Sequence, residues 1–433
     1  MKSQGHWILA VWFCSLAQAF GEPLTLDQAV GQAVKSHPQV LAAQSRLRGA
    51  RLRMNLAGAP LNPTAQIGET LGDPIEEVLN ITQQFELAGQ PALRGQVALQ
   101  EARFRAYDML LIERDIALQT GRYYLGLWTA GQRQQVYIER LRLYERLDLI
   151  STRRFQVGDI PENQLARVRV ETQRARADLM GAAAEFAQAE ARLRTSLGIS
   201  AQTGLTIPAG VLPYSGPEST QVDIDKVRSA ALQLPEVGEA DANLQAARLR
   251  TELARKQGSP ALGFVLYRGS FYRSDAAQGL QVNLSWTPWD YGQIEAEVVG
   301  REGEAKALES EVEAVKRNAQ LRLETAFQSW LGAINRSVLL QSQLTETLRL
   351  AETAQKGFQS GYLALQDTLD AQRSFRDTQL EYLAAQSDLG SLGLELSWLL
   401  RPNQIQPLLT PEQEARDNST SSPAPSSKKE HQP

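Results

Sequence analysis

In the C-terminal half of the chain Leu308, Val312, Val315, Ala319, Leu323, Ala326, Trp330, Ala333, Ser337, Leu340, Leu344, Leu348 and Ala351 recur at threes and fours. The N-terminal half carries a matching stripe through Met109, Ile112, Ile116, Tyr123, Leu127, Ala130, Tyr137 and Leu141. That spacing predicts long helices with one narrow apolar seam. Many seam residues are small, and polar residues fill the positions between them. An ordinary coiled-coil rod satisfies this pattern, and so does a wall with water on both sides.

Two short stretches follow a different period. In GLQVNLSWTPWDYGQ, Leu280, Val282, Leu284 and Trp286 alternate with Gln281, Asn283 and Ser285, which predicts a strand with one apolar and one polar face. VLNITQQFEL alternates less cleanly, because Gln83 interrupts the apolar row of Leu79, Ile81 and Phe85. Candidate partner strands precede them at Thr64 to Leu71 and at Ala261 to Tyr272, giving β-hairpins over about 64–87 and 261–288. Tilted strands of about 9–11 residues cross a bilayer, but four of them cannot close a membrane barrel, and an open edge in lipid is untenable. Either several copies share one barrel, or the hairpins are soluble caps on a coiled coil.

The chain is written twice. Arg51-Leu52-Arg53 matches Arg248-Leu249-Arg250, Pro63 matches Pro260, and His37-Pro38 matches Leu234-Pro235, all at an offset of 197. Between Pro63 and Asn80 the offset changes to 203: Asn80 pairs with Asn283, Gly89-Gln90 with Gly292-Gln293, and Gly158 with Gly361. Proline is absent from 92–160 and from 289–401, so very long helices are permitted in both stretches. Gly158 and Gly361 are the natural breaks within them. Each half is therefore a helix, a β-hairpin and a long helical hairpin. The first repeat covers 20–205 with its hairpin at about 91–200, and the second covers 222–402 with its hairpin at about 292–400. A linker over 206–221 separates them.

Composition narrows the class. Hydrophobic residues make up 42% and aromatics 7% of the 433 residues, which suits long helices better than a thick core. A net charge of -4 argues against nucleic acid as a partner. Residues 1–19 read as a signal peptide: Lys2, an apolar run over Trp7–Ala17, then Ala17-Gln18-Ala19 as the cleavage site. Its removal takes away the only cysteine, Cys14, so no disulfide is expected in the mature chain. The last stretch, 403–433, rich in Ser and Pro towards its end, is expected to be a disordered tail. The three histidines, His6, His37 and His431, are scattered, so neither a catalytic triad nor a metal centre is expected. The chain is expected to be no enzyme and to carry no cofactor.

LTLDQAVGQAVKSHPQV at the start, ITQQFELAGQ after the first hairpin, WTPWDYGQIEAE after the second and FQSGYLALQDTLDAQR at the second turn are similar, in that order, to the TolC-like outer membrane factor family. ITQQFELAG resembles the heavy-metal-cation branch, although Gln90-Pro91 stands where that branch continues Lys-Arg. The resemblance implies a mainly α protein with a small β part. Three protomers would each give four strands to a shared 12-stranded outer-membrane β-barrel, and their long helical hairpins would form a periplasmic helical barrel. It implies a passive exit duct of a tripartite efflux or type I secretion system. The partners it implies are two further copies of the chain, a periplasmic adaptor, an inner-membrane pump reached through the adaptor, and outer-membrane lipid. A soluble periplasmic coiled-coil scaffold or adaptor is the competing reading.

The same resemblance points to residues at the periplasmic aperture. Asp367 and Asp370 match two aspartates that line the family's constriction. Being three apart they share a helix face, and three copies would make stacked acidic rings that select cations. Phe358 matches the aromatic that helps to hold the aperture shut, and Gln164 stands at the acceptor position of an inter-hairpin ion pair whose basic partner is replaced by Leu363. Arg167 occupies the place equivalent to Asp370 in the other repeat and is expected to face or neighbour Asp370, partly neutralising the lower ring. Gly158 and Gly361 are the helical-turn glycines.

Overall fold

A computed structural model of the chain describes residues 23–70, 76–200, 205–208, 210–217, 224–269, 277–401 and 405–409. The expected signal peptide lies outside these residues, as does the tail apart from one helical turn, α9 (Gln406–Leu409), within the stretch expected to be disordered.

The elements run in two rounds. The first is α1 (Leu26–Ser36), α2 (Pro38–Ala57), β1 (Thr64–Thr70), β2 (Glu76–Glu86), α3 (Gln90–Gln156) and α4 (Glu162–Leu197). The second is α5 (Ile224–Ala231), α6 (Pro235–Arg255), β3 (Ala261–Gly269), β4 (Ala277–Ser285), α7 (Gln293–Gln359) and α8 (Leu365–Leu399). Helices α3 and α7 each hold 67 residues, about 100 Å apiece at 1.5 Å per residue. The repeat extends to dihedrals. His37 before Pro38 has φ -68° and ψ 130°, and Leu234 before Pro235 has -63° and 146°, extended values that break both opening helices. Gly89 and Gly292, which precede the two long helices, have φ +81° and +82°.

The described chain divides into two compact units. One comprises 42–111, 232–320 and the described residues after 401, and contains the sheet. Its four strands form one antiparallel sheet in the order β1-β2-β3-β4, so the two hairpins join through β2 and β3. The register sorts the side chains by face. Leu262, Phe264 and Leu266 of β3 share a face with Ile81 and Phe85 of β2 and with Leu280, Val282 and Leu284 of β4. The opposite face carries Gly263, Val265 and Tyr267, flanked by Asn80, Thr82 and Gln84 and by Gly279, Gln281 and Asn283. Gln83, the polar interruption in the apolar row, donates through Nε2 to the Leu61 carbonyl (2.7 Å) and the Gln84 carbonyl (3.1 Å). Its amide is thus satisfied locally, which removes most of the cost of placing it on an apolar face. Phe85 and Phe264 meet edge to face at 5.8 Å.

The other unit comprises the chain up to Leu41 together with 112–231 and 321–401. Helix α1 opens with a reciprocal cap, in which Thr25 Oγ1 accepts from the Gln28 amide and Gln28 Oε1 accepts from the Thr25 amide. Leu26, Ala29 and Ala33 then pack with Ile116, Tyr124, Leu127, Leu193, Leu197 and Leu394. The inter-repeat linker is fastened rather than loose. The Leu24 amide donates to the Thr206 carbonyl (2.8 Å) and the buried Trp330 indole to the Ser215 carbonyl (2.9 Å). Among the described residues no helix is long and apolar enough to cross a membrane.

Candidate functional site at the paired helical turns

The turn between α3 and α4 and the turn between α7 and α8 lie in the same unit and have one backbone design. Gly158 adopts φ +77° and Gly361 φ +79°, a left-handed conformation that side chains other than glycine enter only with strain. In the first turn the Asp159 amide donates to the Arg154 carbonyl (2.8 Å) and the Gly158 amide to the Phe155 carbonyl (3.0 Å). In the second, Tyr362 donates to Gly357 (2.9 Å) and Gly361 to Phe358 (3.1 Å). Both helices therefore end in the same paired closure, and both following helices start without a side-chain cap, from Pro161 and from Ala364.

The side chains differ. Arg154 Nε donates to Asp159 Oδ2 (2.5 Å) within its own turn. Its Nη1 reaches the Phe358 carbonyl of the other turn (3.3 Å), and its guanidinium lies 5.1 Å above the Phe358 ring. A cation at the last carbonyls of α7 also opposes the negative end of that helix dipole. Phe358 itself is 1% exposed and packs with Tyr144, Leu147, Val168, Leu365 and Leu369. The side chain thus lies in the core beneath the turns. Burial of a phenyl ring contributes about 1.5–3 kcal/mol to holding the two hairpins together.

Asp367 and Asp370 are exposed on the first turns of α8. Among the described residues Asp367 makes no ion pair, whereas Asp370 accepts from Arg373 Nη1 (3.0 Å) and from Gln366 Nε2 (3.1 Å). Arg167 does not bond Asp370 directly. Its Nη1 donates to Gln366 Oε1 (2.6 Å), so it reaches the carboxylate through that amide. Gln164 is half-buried, and its backbone amide donates to the Pro161 carbonyl (3.0 Å).

Behind these exposed groups sits an ionic hub absent from the sequence reading. Glu171 has a side chain 7% exposed and accepts from Arg373 Nη2 (2.8 Å) and Arg174 Nη1 (2.9 Å), with Arg140 Nη2 at 3.8 Å. Arg140 also pairs with Asp178. The chain Arg140, Glu171, Arg373, Asp370 thus links α3, α4 and α8, and the Glu171 carboxylate holds the Arg373 guanidinium above its already high ordinary pKa. One signal in the sequence could have found it: Glu171 falls within the buried succession Leu165, Val168, Thr172, Ala175, where an acid needs a partner. Arg154 had its own signal, because its repeat equivalent is Gly357.

Residues 227–396 match the family of outer membrane efflux proteins. The chain is 27% identical over 278 residues to Protein CyaE of Bordetella pertussis, a match covering 60% of this chain and 58% of that protein. The chain therefore matches less than two thirds of the length of this relative. Among solved structures, the outer-membrane channel OprN superposes with a TM-score of 0.73 at 18% identity, covering 87% of this chain and 90% of OprN. VceC, an outer membrane protein from Vibrio cholerae, gives 0.68 at 17% identity over 87% of this chain and 96% of VceC. The open state of the MtrE outer membrane channel from Neisseria gonorrhoeae gives 0.65 at 16% identity, covering 87% and 89%. The fold of the described chain is that of these channels. The family match over residues 227–396 and this shared fold agree with the resemblance that the ordered motifs carry.

Proposed function

We propose that the chain is the outer-membrane exit duct of a tripartite efflux or type I secretion system. It works as a passive homotrimeric channel in the outer membrane of a Gram-negative cell, with its helices extending into the periplasm. A periplasmic adaptor and, through it, an inner-membrane pump complete the system and select the cargo. The observation that carries this reading is the sheet: four strands with one apolar and one polar face, and with β1 and β4 as its outer edges. One copy leaves those edges unpaired in lipid, which the bilayer does not tolerate. Three copies pairing edge to edge give twelve strands in a closed barrel, apolar outside and polar within.

The paired turns form the periplasmic gate in this reading. Asp367 and Asp370 of three copies make two acidic rings that favour cations, with Arg373 offsetting the second ring. Fractionation tests the duct itself: a heat-modifiable trimer in the outer membrane that conducts ions in planar bilayers is expected. A soluble monomer in the periplasm would overturn the duct in favour of a coiled-coil scaffold.

A further inference from the structure

Helix α6 has a bonded neighbour on each flank. Arg248 pairs with Glu309 (3.1 Å) and Arg255 with Glu302, which joins α6 to α7 of its own repeat. On the other flank Arg250 pairs with Glu101 (2.6 Å), and Gln90 Nε2 donates to the Lys256 carbonyl (3.2 Å). These bonds join α6 to α3 of the first repeat, and the two helices run antiparallel. Helix α2 is the equivalent of α6 at the offset of 197, and α7 is the equivalent of α3 at the offset of 203. Moved by those offsets, Arg250 and Glu101 become Arg53 and Glu304, while Gln90 and Lys256 become Gln293 and Ala59. The arginine, the glutamate and the glutamine of the junction are all kept, and Ala59 supplies a backbone carbonyl as Lys256 does.

Within one copy the equivalents lack these bonds. Glu304 is exposed and makes no hydrogen bond or ion pair among the described residues. Arg53, also exposed, donates through Nε to the Gly49 carbonyl of its own helix (3.3 Å). Gln90 is 7% exposed, whereas Gln293 is exposed and its side-chain amide is unbonded among the described residues. Leu249 and Leu253 of α6 are half-buried, but their equivalents Leu52 and Leu56 are 58% and 71% exposed. Helix α2 thus has the residues of a covered flank and the exposure of a bare one. Charge says what covers it: α2 carries Arg46, Arg48, Arg51 and Arg53 and no acid. Arg46 stands seven residues before Arg53, and the exposed Glu311 stands seven after Glu304, so antiparallel helices bring both pairs into one register.

We propose that α7 of another copy covers the bare flank of α2, in the register that joins α6 to α3 within the chain. Arg53 pairs with Glu304 of the partner subunit. Gln293 of the partner subunit donates its amide to the Ala59 carbonyl, which takes one long bond from Arg94 (3.4 Å) and has a second lone pair. The contact is head to tail, so repeating it closes a ring. The seam rests on the homotrimeric duct proposed above and adds a helical contact to the pairing of sheet edges.

The purified full-length trimer tests it, in a Cys14→Ser background where introduced cysteines are the only ones. Arg53→Cys combined with Glu304→Cys and treated with a short bismaleimide is expected to give dimers and trimers on denaturing gels, absent from either single variant. Arg250→Cys with Glu101→Cys, the same junction inside one chain, is expected to give no such ladder. Charge reversal is the second readout. Arg53→Glu and Glu304→Arg are each expected to lower the temperature at which the trimer dissociates, and the double reversal to restore it. Paired cysteines that yield only monomer from an intact trimer would overturn the seam and leave the duct standing. Single reversals without effect, or a double reversal that restores nothing, would overturn the register in the same way. A wild-type protein that forms no trimer would instead overturn the duct.

Discussion

At Gly158 the chain leaves α3 with φ +77°, at Gly361 it leaves α7 with φ +79°, and in both turns the next amide donates to the carbonyl five residues back. The position that supplies that carbonyl is Arg154 in one turn and Gly357 in the other. Arg154 fills its turn with a guanidinium that bonds Asp159 and reaches across to Phe358. Gly357 leaves a gap that Leu363 fills, its Cδ1 standing 2.4 Å from where a Cβ on residue 357 would be. Farther along, Glu171 in the first repeat is the buried acid, and Ser374 stands in its place in the second. Backbone closure depends on a glycine and a hydrogen-bond pattern, so duplication preserved it. Side-chain bonds between the hairpins require the copies to differ, because a donor must meet an acceptor.

The comparison breaks hardest at Glu171. Glu171→Ala removes the common acceptor of Arg373 and Arg174 and leaves the largely buried Arg140 with Asp178 alone. Removing one member of a buried ionic group costs about 3–5 kcal/mol; Arg373 and Arg174 can turn towards water, so about 2–3 kcal/mol is expected here. Denaturant unfolding of the purified protein measures it, with Ser374→Ala as the control at the equivalent site. Equal effects of the two substitutions would show that the hub contributes no more than the other repeat's serine.

A smaller effect separates the turns directly. Gly357→Ala drives a methyl group into Leu363, whose Cβ would also be only 3.2 Å away. Leu363 is half-buried and can shift, so the cost lies near the lower end of overpacking, about 1 kcal/mol. Arg154→Ala makes the opposite change, deleting a side chain where its repeat equivalent has none. It also costs about 1 kcal/mol, the scale of partly exposed charge-assisted bonds. The two variants differ in what they loosen. Arg154→Ala unfastens α3 from the end of α7 and is expected to raise closed-state conductance in planar bilayers, whereas Gly357→Ala strains one turn and leaves conductance unchanged. The same conductance from both variants would remove Arg154 as a link between hairpins.

Much of this architecture was legible because it rests on backbone rules. Proline-free stretches, glycine at 158 and 361, and the period-two rows of β4 mark helices, turns and strand wherever they stand. The duplicated spacing doubled each signal, and the match extends to φ values within 2° at paired glycines. Gln83 was legible only as a fault in its strand, because its partner, the Leu61 carbonyl, comes from the segment before β1. The site was less legible for the same kind of reason. Asp367 and Asp370 were found by motif, and their side chains are exposed. Phe358 was found by motif, but an aromatic beside a turn gives no sign of whether it points into the core or out, and its burial is set by residues of the other hairpin such as Tyr144 and Val168. Glu171 was overlooked because its partner Arg373 is 202 residues away, and nothing local announces such a pairing.

The smallest expected change in stability belongs to the two aspartates. Asp367 has no ion pair among the described residues, and the Asp370 pair with Arg373 has side chains 54% and 37% exposed, so each Asn substitution should alter stability by less than about 0.5 kcal/mol. Their effect on ion selectivity should be unequal. Asp370 shares its charge with Arg373 at 3.0 Å and with the Gln366 amide, while Asp367 presents a full carboxylate. Asp367→Asn is therefore expected to reduce cation preference in planar bilayers more than Asp370→Asn does. Arg373→Ala should raise that preference by releasing Asp370. Arg167→Ala should raise it less, because its charge reaches the carboxylate only through Gln366. If Arg167→Ala shifts selectivity as much as Arg373→Ala, Arg167 faces Asp370 directly in the assembled gate, and the second ring is set by both repeats rather than by α8 alone.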